Sequence, residues 1–272
     1  TVGYGTIMMM GGFNFTVNGN TAIDNTGILG CQNAGGNKTF NGDVAINSGG
    51  NWNVTVDEDF TFGGSYHKDG NHMSTGWGTY RFVGIGKTFT GNQNLSFPPV
   101  TIDGTYTNFG LFSVYGEFQG TGAFIQGANS TLNLLSSYPT IAGLVADIYP
   151  NTINYNSTNS QTARAMTYDQ LVFSSGYTVT LGGPIVVKSN LTVTGNTTLD
   201  VSSNNYALSV GGNWVNSNGV FVARSGMVTF NGNSQQSIDG PTLTAFNDVA
   251  LSGTSAVMLS AESAAGKYPL EA

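Results

Sequence analysis

The feature that most constrains the fold is a series of short segments in which apolar and polar residues alternate. Each segment is cut off by Gly, Asn or Asp, as residues 177–181 are by Gly182 and residues 191–194 by Gly195. Alternate side chains of a strand point to opposite faces, so Val and Leu can be buried while Thr stays in water. Gly and Asn tolerate left-handed backbone conformations and allow tight corners. The pattern predicts many short strands and an all-β fold.

Composition excludes several classes of protein. Only 8% of the residues are charged, against about 25% in typical domains, which argues against helix bundles and coiled coils. With 39% hydrophobic and 11% aromatic residues the chain is not a disordered tail, and its net charge of −7 argues against nucleic acid as a partner. The single cysteine, Cys31, cannot form an internal disulfide. We expect it to be a small buried hydrophobe, because a nucleophilic thiol needs an activating base nearby.

Short motifs recur at irregular spacing. The segment Thr39–Gly42 returns as Thr229–Gly232, and Gly50–Trp52 returns as Gly212–Trp214. Degenerate repeats of this kind are typical of solenoids, in which each coil contacts only its neighbours. The sequence therefore predicts a right-handed parallel β-helix, with tandem β-sandwiches as the alternative.

The boundaries follow from the same patterns. Residues 1–260 are predicted to form a single β-solenoid domain, and residues 261–272, rich in Ala and Glu, a linker or tail. Residues 139–148 are compatible with a short helical turn. No signal peptide or membrane span is recognisable, and Thr1 opens the chain in the middle of a repeat-like segment. We expect a mature or trimmed piece of a longer protein.

Several elements in the second half carry a family resemblance. Residues 208–221, with Gly211-Gly212-Asn213-Trp214 at their centre, resemble an element of large secreted surface proteins of Bacteroidota-type bacteria that use type IX export. Residues 228–238, with Gln236 and Ile238, resemble the element that follows it there, and residues 246–251 the next strand. Residues 151–156 and 161–171 are similar to the start of the same module. The resemblance implies a β-helical stalk or adhesin-like surface module with no catalytic residue and no cofactor.

Two polar clusters are candidates for chemistry. In Asp57-Glu58-Asp59, the two aspartates would share one side of a strand while Glu58 faces away, which suits Ca²⁺ binding or an acid pair. An exposed turn is the alternative. In residues 67–72, His67, His72 and Asp69 could bind a divalent metal, although Asp69-Gly70-Asn71 is also strong turn chemistry.

Aromatic residues crowd one region. They include Tyr106, Phe109, Phe112, Tyr115, Phe118 and Phe124, with Trp52, Trp77 and Tyr80 upstream. Exposed rings could stack on sugars or anchor a neighbouring subunit, whereas buried rings would fill the solenoid, and we favour the core.

The sequence thus predicts a non-enzymatic extracellular protein, located outside the cell or on its surface. It would be a β-helical segment of a surface adhesin, stalk or self-assembling fibre. Expected partners are further copies, joined head-to-tail or laterally, or cell-surface and matrix components, with glycans as a further option. No catalytic, cofactor-binding or metal-binding residue is assigned. The alternative is a polysaccharide-binding module, or a polysaccharide-degrading enzyme in which Asp57 and Asp59 converge with a base such as Lys68, Arg81 or Lys87.

Overall fold

Parallel strands dominate the structure. The computed structural model describes residues 1–136, 138–254 and 256–259, and these contain strands and no helix. The strands stack into a β-solenoid of about 13 turns, which confirms the predicted fold. Tandem β-sandwiches are wrong, because every described pair of neighbouring strands runs parallel, whereas sandwich sheets are antiparallel. The right-handed sense of the coils and the single domain over 1–260 stay predictions, and the tail 261–272 lies outside the described residues.

The strands group into two compact units. The first comprises Thr1–Leu135 with Pro139–Val145, and the second the described residues of Ser136–Tyr138 and Ala146–Ala272. The strands of the first unit are β1 (Ile7–Met10), β2 (Phe15–Val17), β3 (Thr21–Ile23), β4 (Ile28–Cys31), β5 (Lys38–Phe40), β6 (Val44–Ile46), β7 (Asn51–Val54), β8 (Phe60–Phe62), β9 (Tyr66–Lys68), β10 (Asn71–Ser74), β11 (Tyr80–Phe82), β12 (Lys87–Thr90), β13 (Leu95–Phe97), β14 (Val100–Ile102), β15 (Thr105–Asn108), β16 (Leu111–Val114), β17 (Phe118–Gln119), β18 (Ala123–Gln126), β19 (Ser130–Leu134) and β20 (Gly143–Val145).

In the first unit the strands lie on three faces, and on each face most strands pair with their equivalent in the next coil. The first face carries β1-β4-β7-β10 and, as a separate run, β13-β16-β19. The second face carries β2-β5-β8-β11-β14-β17, and the third face carries β3-β6-β9-β12-β15-β18-β20. We call the segment between a first-face strand and the following second-face strand the first corner of its coil.

The second unit repeats this plan. Its strands are β21 (Asn151–Tyr155), β22 (Gln161–Ala163), β23 (Thr167–Tyr168), β24 (Gln170–Phe173), β25 (Thr178–Leu181), β26 (Ile185–Val187), β27 (Leu191–Thr194), β28 (Thr198–Asp200), β29 (Leu208–Val210), β30 (Trp214–Ser217), β31 (Val220–Val222), β32 (Met227–Phe230), β33 (Gln236–Asp239), β34 (Asp248–Leu251) and β35 (Val257–Leu259). They pair as β21-β24-β27-β30-β33-β35, β22-β25-β28-β31 and β23-β26-β29-β32-β34.

In-register stacking builds the core of each unit. In the first unit Phe40 pairs with Phe62 and Phe62 with Phe82, with ring centroids 5.6 and 4.9 Å apart and nearly parallel planes. The outward residues between them, such as Thr39 and Thr61, form a separate polar row. Each buried ring contributes about 1.5–3 kcal/mol by leaving water. The second unit stacks mostly aliphatic residues in the same way, with Leu171, Leu191 and Trp214 in register.

The helical turn predicted over 139–148 is wrong. Residues 143–145 form β20, which pairs with β18 through Ala123↔Gly143, Phe124↔Leu144 and Ile125↔Val145. The local sequence is helix-compatible, but pairing with the neighbouring coil satisfies the backbone and buries Leu144.

A second set of bonds joins the coils at their corners. The side-chain oxygen of an Asn or Asp in one coil accepts a hydrogen bond from a backbone N–H in the next coil, as Asp57 does from Trp77 at 2.7 Å and Asn190 from Asn213 at 2.8 Å. We call this the corner ladder. Its further acceptor–donor pairs are Asn14–Asn37, Asn20–Asp43, Asp43–Ser65, Asp59–Thr79, Asp69–Asn92, Asp103–Thr121, Asn205–Ser225 and Asn213–Ser237. These corner amides lie outside the sheets, and the side-chain oxygens of five Asn and five Asp residues provide their partners.

Buried glutamines close two further corners. Gln236 accepts from the Gly232 amide at 2.8 Å and donates to the carbonyls of Val210 at 2.9 Å and Gly212 at 2.5 Å. Gln161 likewise accepts from an amide four residues earlier, that of Ser157, at 3.0 Å. Gln236 therefore links its own corner to the preceding coil.

Replacing Gln236 should be costly for this reason. We expect Gln236→Ala to lower the free energy of unfolding by about 3 kcal/mol, because buried backbone groups lose their partner. The neighbouring exposed Gln235 is the matched control, and Gln235→Ala should change stability by less than about 0.5 kcal/mol. Denaturant unfolding of both variants measures the difference. Equal stabilities would contradict the role of Gln236.

Candidate functional site

The acidic segment 57–59 serves the corner ladder. Asp57 and Asp59 are exposed on one side of the first corner between β7 and β8, and Glu58 is buried, as the alternation predicts. Asp57 accepts from the Trp77 amide, and Asp59 accepts from the Thr79 amide at 2.6 Å. Both carboxylates are therefore bonded to the backbone of the next coil.

Glu58 belongs to a buried ion pair. Its Oε2 lies 3.5 Å from Lys38 Nζ and accepts from the Gly35 amide at 2.8 Å. Lys38 also donates to the Phe13 carbonyl at 2.8 Å and to that of Gly35. Charges at this depth are tolerated only when paired and hydrogen-bonded. The pair fixes the corner from the inside.

Cys31 is buried close to this pair. Burial, followed by the charge of Glu58, raises the pKa of the Cys31 thiol. A raised pKa disfavours the thiolate, which is the reactive form. The geometry is that of the small buried hydrophobe expected from the sequence.

The basic residues considered for an enzyme have other partners. Lys68 is buried and donates to the Asn94 carbonyl at 2.5 Å, and burial lowers its pKa. Arg81 pairs with Asp103 at 2.7 Å, and Lys87 lies 3.7 Å from Asp43. The structure thus bonds each of the three bases to groups other than Asp57 and Asp59.

The two histidines lie in different environments. His67 is on the outward side of β9, with Nε2 3.0 Å from Asp69 Oδ2 and Nδ1 3.0 Å from Thr90 Oγ1. The order Thr–His–Asp is that of a proton relay to a hydroxyl. The same bonds also tie β9 to β12, in which Thr90 pairs in register with His67. No group of three potential metal ligands occurs among the described residues.

His72 is in the core rather than in a metal site with His67. Its Nδ1 lies 3.0 Å from the Tyr66 hydroxyl and its Nε2 3.1 Å from the Tyr80 hydroxyl. Burial, and secondarily Lys68, lowers the pKa of His72 to about 3. The ring is therefore neutral, with one nitrogen donating and the other accepting.

The aromatic region separates into core and surface. Buried rings are Trp52, Tyr80, Tyr106, Phe112, Phe118 and Phe124. Trp77 is 62% exposed, Phe109 51% and Tyr115 46%. The expectation that these aromatics fill the core is therefore wrong for three of them, all of which lie at the end of a strand or in a corner.

A change in corner length brings two of the exposed rings to one groove. The first corner after β10 spans residues 75–79, whereas the next one, after β13, spans only 98–99, both proline. Proline has no N–H, so Pro99 cannot continue the ladder step from Asp59 to Thr79. First-face pairing also stops at β10 and resumes at β13. The longer corner, which carries Trp77, therefore stands beside a shorter one.

The groove at this step has a volume of about 440 Å³. Tyr115 enters it from the following corner, where its amide donates to the Phe97 carbonyl at 3.0 Å. The remaining lining residues are Asn71, His72, Met73, Ser74, Thr75, Gly76, Ser96, Phe97 and Pro98. The lining combines aromatic faces with hydroxyl and amide groups and carries no formal charge while His72 is neutral.

Sequence reasoning missed the groove as a unit. The sequence presents Trp77 and Tyr115 only as members of a larger aromatic set, and nothing in it connects Met73 and Ser96 with them. The available signal was the Pro98-Pro99 pair, which marks a corner shorter than its neighbours.

Comparisons with known proteins add no assignment: no protein-family model, curated protein or solved structure matches the chain. The described residues contain no helix that is long and apolar enough to cross a membrane.

The corner ladder can be tested at Asp57. We expect Asp57→Ala to lower the free energy of unfolding by about 1 kcal/mol, because the Trp77 amide loses its acceptor. Asp57→Asn should cost less than about 0.5 kcal/mol, since Asn fills the equivalent role at Asn190. Denaturant unfolding compares the two variants. An equal loss in both would mean that the charge, and not the accepted bond, matters.

Burial of neutral His72 predicts a pH dependence. Between pH 6.5 and about 3 the unfolded chain binds a proton at His72 that the folded chain does not. Stability should therefore fall with decreasing pH, by up to about 1.4 kcal/mol per pH unit from this residue. His72→Gln should reduce the slope by that amount in denaturant unfolding across this range. The carboxylates of Asp69, Asp103 and Asp200, whose pKa values are lowered, contribute equally in both proteins. Identical slopes would contradict a neutral, buried His72.

Proposed function

We propose that this chain is a non-enzymatic structural or adhesive segment of a secreted protein displayed at the cell surface. The observation that carries the proposal is the corner ladder. Most of the polar groups that the sequence offered for chemistry, including Asp57, Asp59 and Asp69, are bonded to the backbone of a neighbouring coil. Such bonding suits a scaffold that holds its shape between the points it connects.

Two sequence features support the location. The order of elements over 150–260 resembles that of secreted surface proteins of Bacteroidota-type bacteria. The chain is also poor in lysine and rich in Asn, Thr and Gly, which suits an extracellular protein. We propose cell-surface or matrix components, glycans and further copies of the chain as partners.

An enzyme is the second candidate, and one observation favours it. The relay Thr90–His67–Asp69 places a histidine between a hydroxyl and a carboxylate. In a hydrolase His67 would take the proton of the Thr90 hydroxyl during attack on the substrate.

Two measurements distinguish these functions. Antibodies against the purified chain should label intact cells of the source organism without permeabilisation. The purified chain should release no reducing ends from a panel of soluble polysaccharides and no product from ester substrates. Labelling only after permeabilisation would contradict the surface role. Turnover that His67→Ala abolishes, and that the control Phe109→Ala leaves intact, would replace the structural role with a catalytic one.

A further inference from the structure

We infer that the groove between the corners 75–79 and 98–99 binds a neutral polysaccharide, with sugar rings packed on Trp77 and Tyr115. The inference rests on the proposed adhesive function and names the class of ligand that would serve it. It does not depend on the relay at His67.

The groove exposes aromatic surface to water. Trp77 and Tyr115 leave large apolar faces in water at a concave site, beside the half-exposed Met73. Concave apolar surface of this kind marks binding sites, and Trp and Tyr dominate their energetics. The C–H-rich face of a pyranose ring is flat and apolar, so it can cover an aromatic face.

Polar groups around the rings suit the rim of a sugar. Asn71, Ser74, Thr75 and Ser96 contribute amide and hydroxyl groups to the lining. The Ser74 hydroxyl is itself held by the protein, since it donates to the Gly76 carbonyl at 3.2 Å and is hydrogen-bonded to the Tyr80 side chain. Sugar hydroxyls both donate and accept, so they match this mixture. The volume of about 440 Å³ falls within the ~300–1,000 Å³ of ligand pockets.

The uncharged lining of the groove indicates which class of glycan it binds. None of the residues that line this groove is Lys, Arg, Asp or Glu, and His72 is held neutral by burial. A uronic-acid polymer or a nucleic acid would require cationic groups for its carboxylates or phosphates. The net charge of −7 opposes such polyanions as well. A neutral polysaccharide is the complementary partner.

The backbone on both sides of the groove is packed closely against neighbouring coils. Asp57 holds the Trp77 amide, and a Cβ at Gly76 would overlap the Val56 carbonyl of the preceding coil. On the other side a Cβ at Gly116 would collide with Pro99. A backbone held in this way reduces the entropy lost on binding.

The test uses the full chain and defined oligosaccharides. Cello-, manno-, xylo- and galacto-hexasaccharides are titrated into the protein, with tri-galacturonate as the anionic probe, by calorimetry and by tryptophan fluorescence. Trp52 and Trp214 are buried, so a fluorescence change reports Trp77. At least one neutral hexasaccharide should bind, and tri-galacturonate should bind at least tenfold more weakly.

Matched variants locate the site. Trp77→Ala and Tyr115→Ala should each weaken binding at least tenfold, and Trp77→Phe should retain part of the affinity because it keeps an aromatic face. Phe109→Ala is the control, since Phe109 is equally exposed but does not line the groove, and it should bind as wild type does. Unfolding curves confirm that the variants are folded.

Three results would overturn the inference. They are no binding of any neutral hexasaccharide, binding that Trp77→Ala and Tyr115→Ala leave unchanged, or tighter binding of tri-galacturonate. A surface-labelled protein that binds none of the sugars would keep the proposed function and lose only this site. If the protein bound glycans but was found only inside the cell, the groove would remain a glycan site and the proposed surface function would be contradicted.

Discussion

Every level of this structure depends on hydrogen bonding between a residue and its equivalent one coil away. The parallel strands bond through their backbones, and at the corners Asn and Asp side chains accept the amides that the sheets leave out. Asp43 illustrates both roles, because its amide donates to Asn20 and its carboxylate accepts from Ser65. A hydrogen bond of this kind contributes about 0.5–1.5 kcal/mol, so corners without this chemistry would weaken the stack.

The same constraint accounts for how sparingly charge is used. Carboxylates can replace amides as corner acceptors, but each brings charge that must be kept in water or paired. The exposed pairs Arg81–Asp103 and Arg224–Asp200 join neighbouring coils, and the buried Lys38–Glu58 pair is surrounded by backbone carbonyls and amides. Asn does the same work without this requirement, which is consistent with a chain that has 8% charged residues.

The fold was predictable because alternation and corner residues are local signals. Periodic Val, Leu and Thr, with Gly and Asn at the breaks, specify strands and corners without reference to distant residues. The helical turn predicted for residues 139–148 was wrong because the pairing of β20 with β18 overrides the local preference for a helix. Asp57 and His72 illustrate a related point, because each finds its partners in other segments of the chain. Their roles depend on register, which the sequence does not display.

The separation of Trp77 from the buried rings around it shows why a site is harder to read than a fold. Trp52 and Trp77 look alike in the sequence, yet one lies in a strand and the other in a corner. Core stacking follows the register of the strands, and corner length differs between neighbouring coils, as residues 75–79 and 98–99 show. The outer surface of such a protein can therefore change by insertion or deletion at a corner, with little effect on the buried core. Molecules of this architecture can acquire new surfaces while keeping one scaffold.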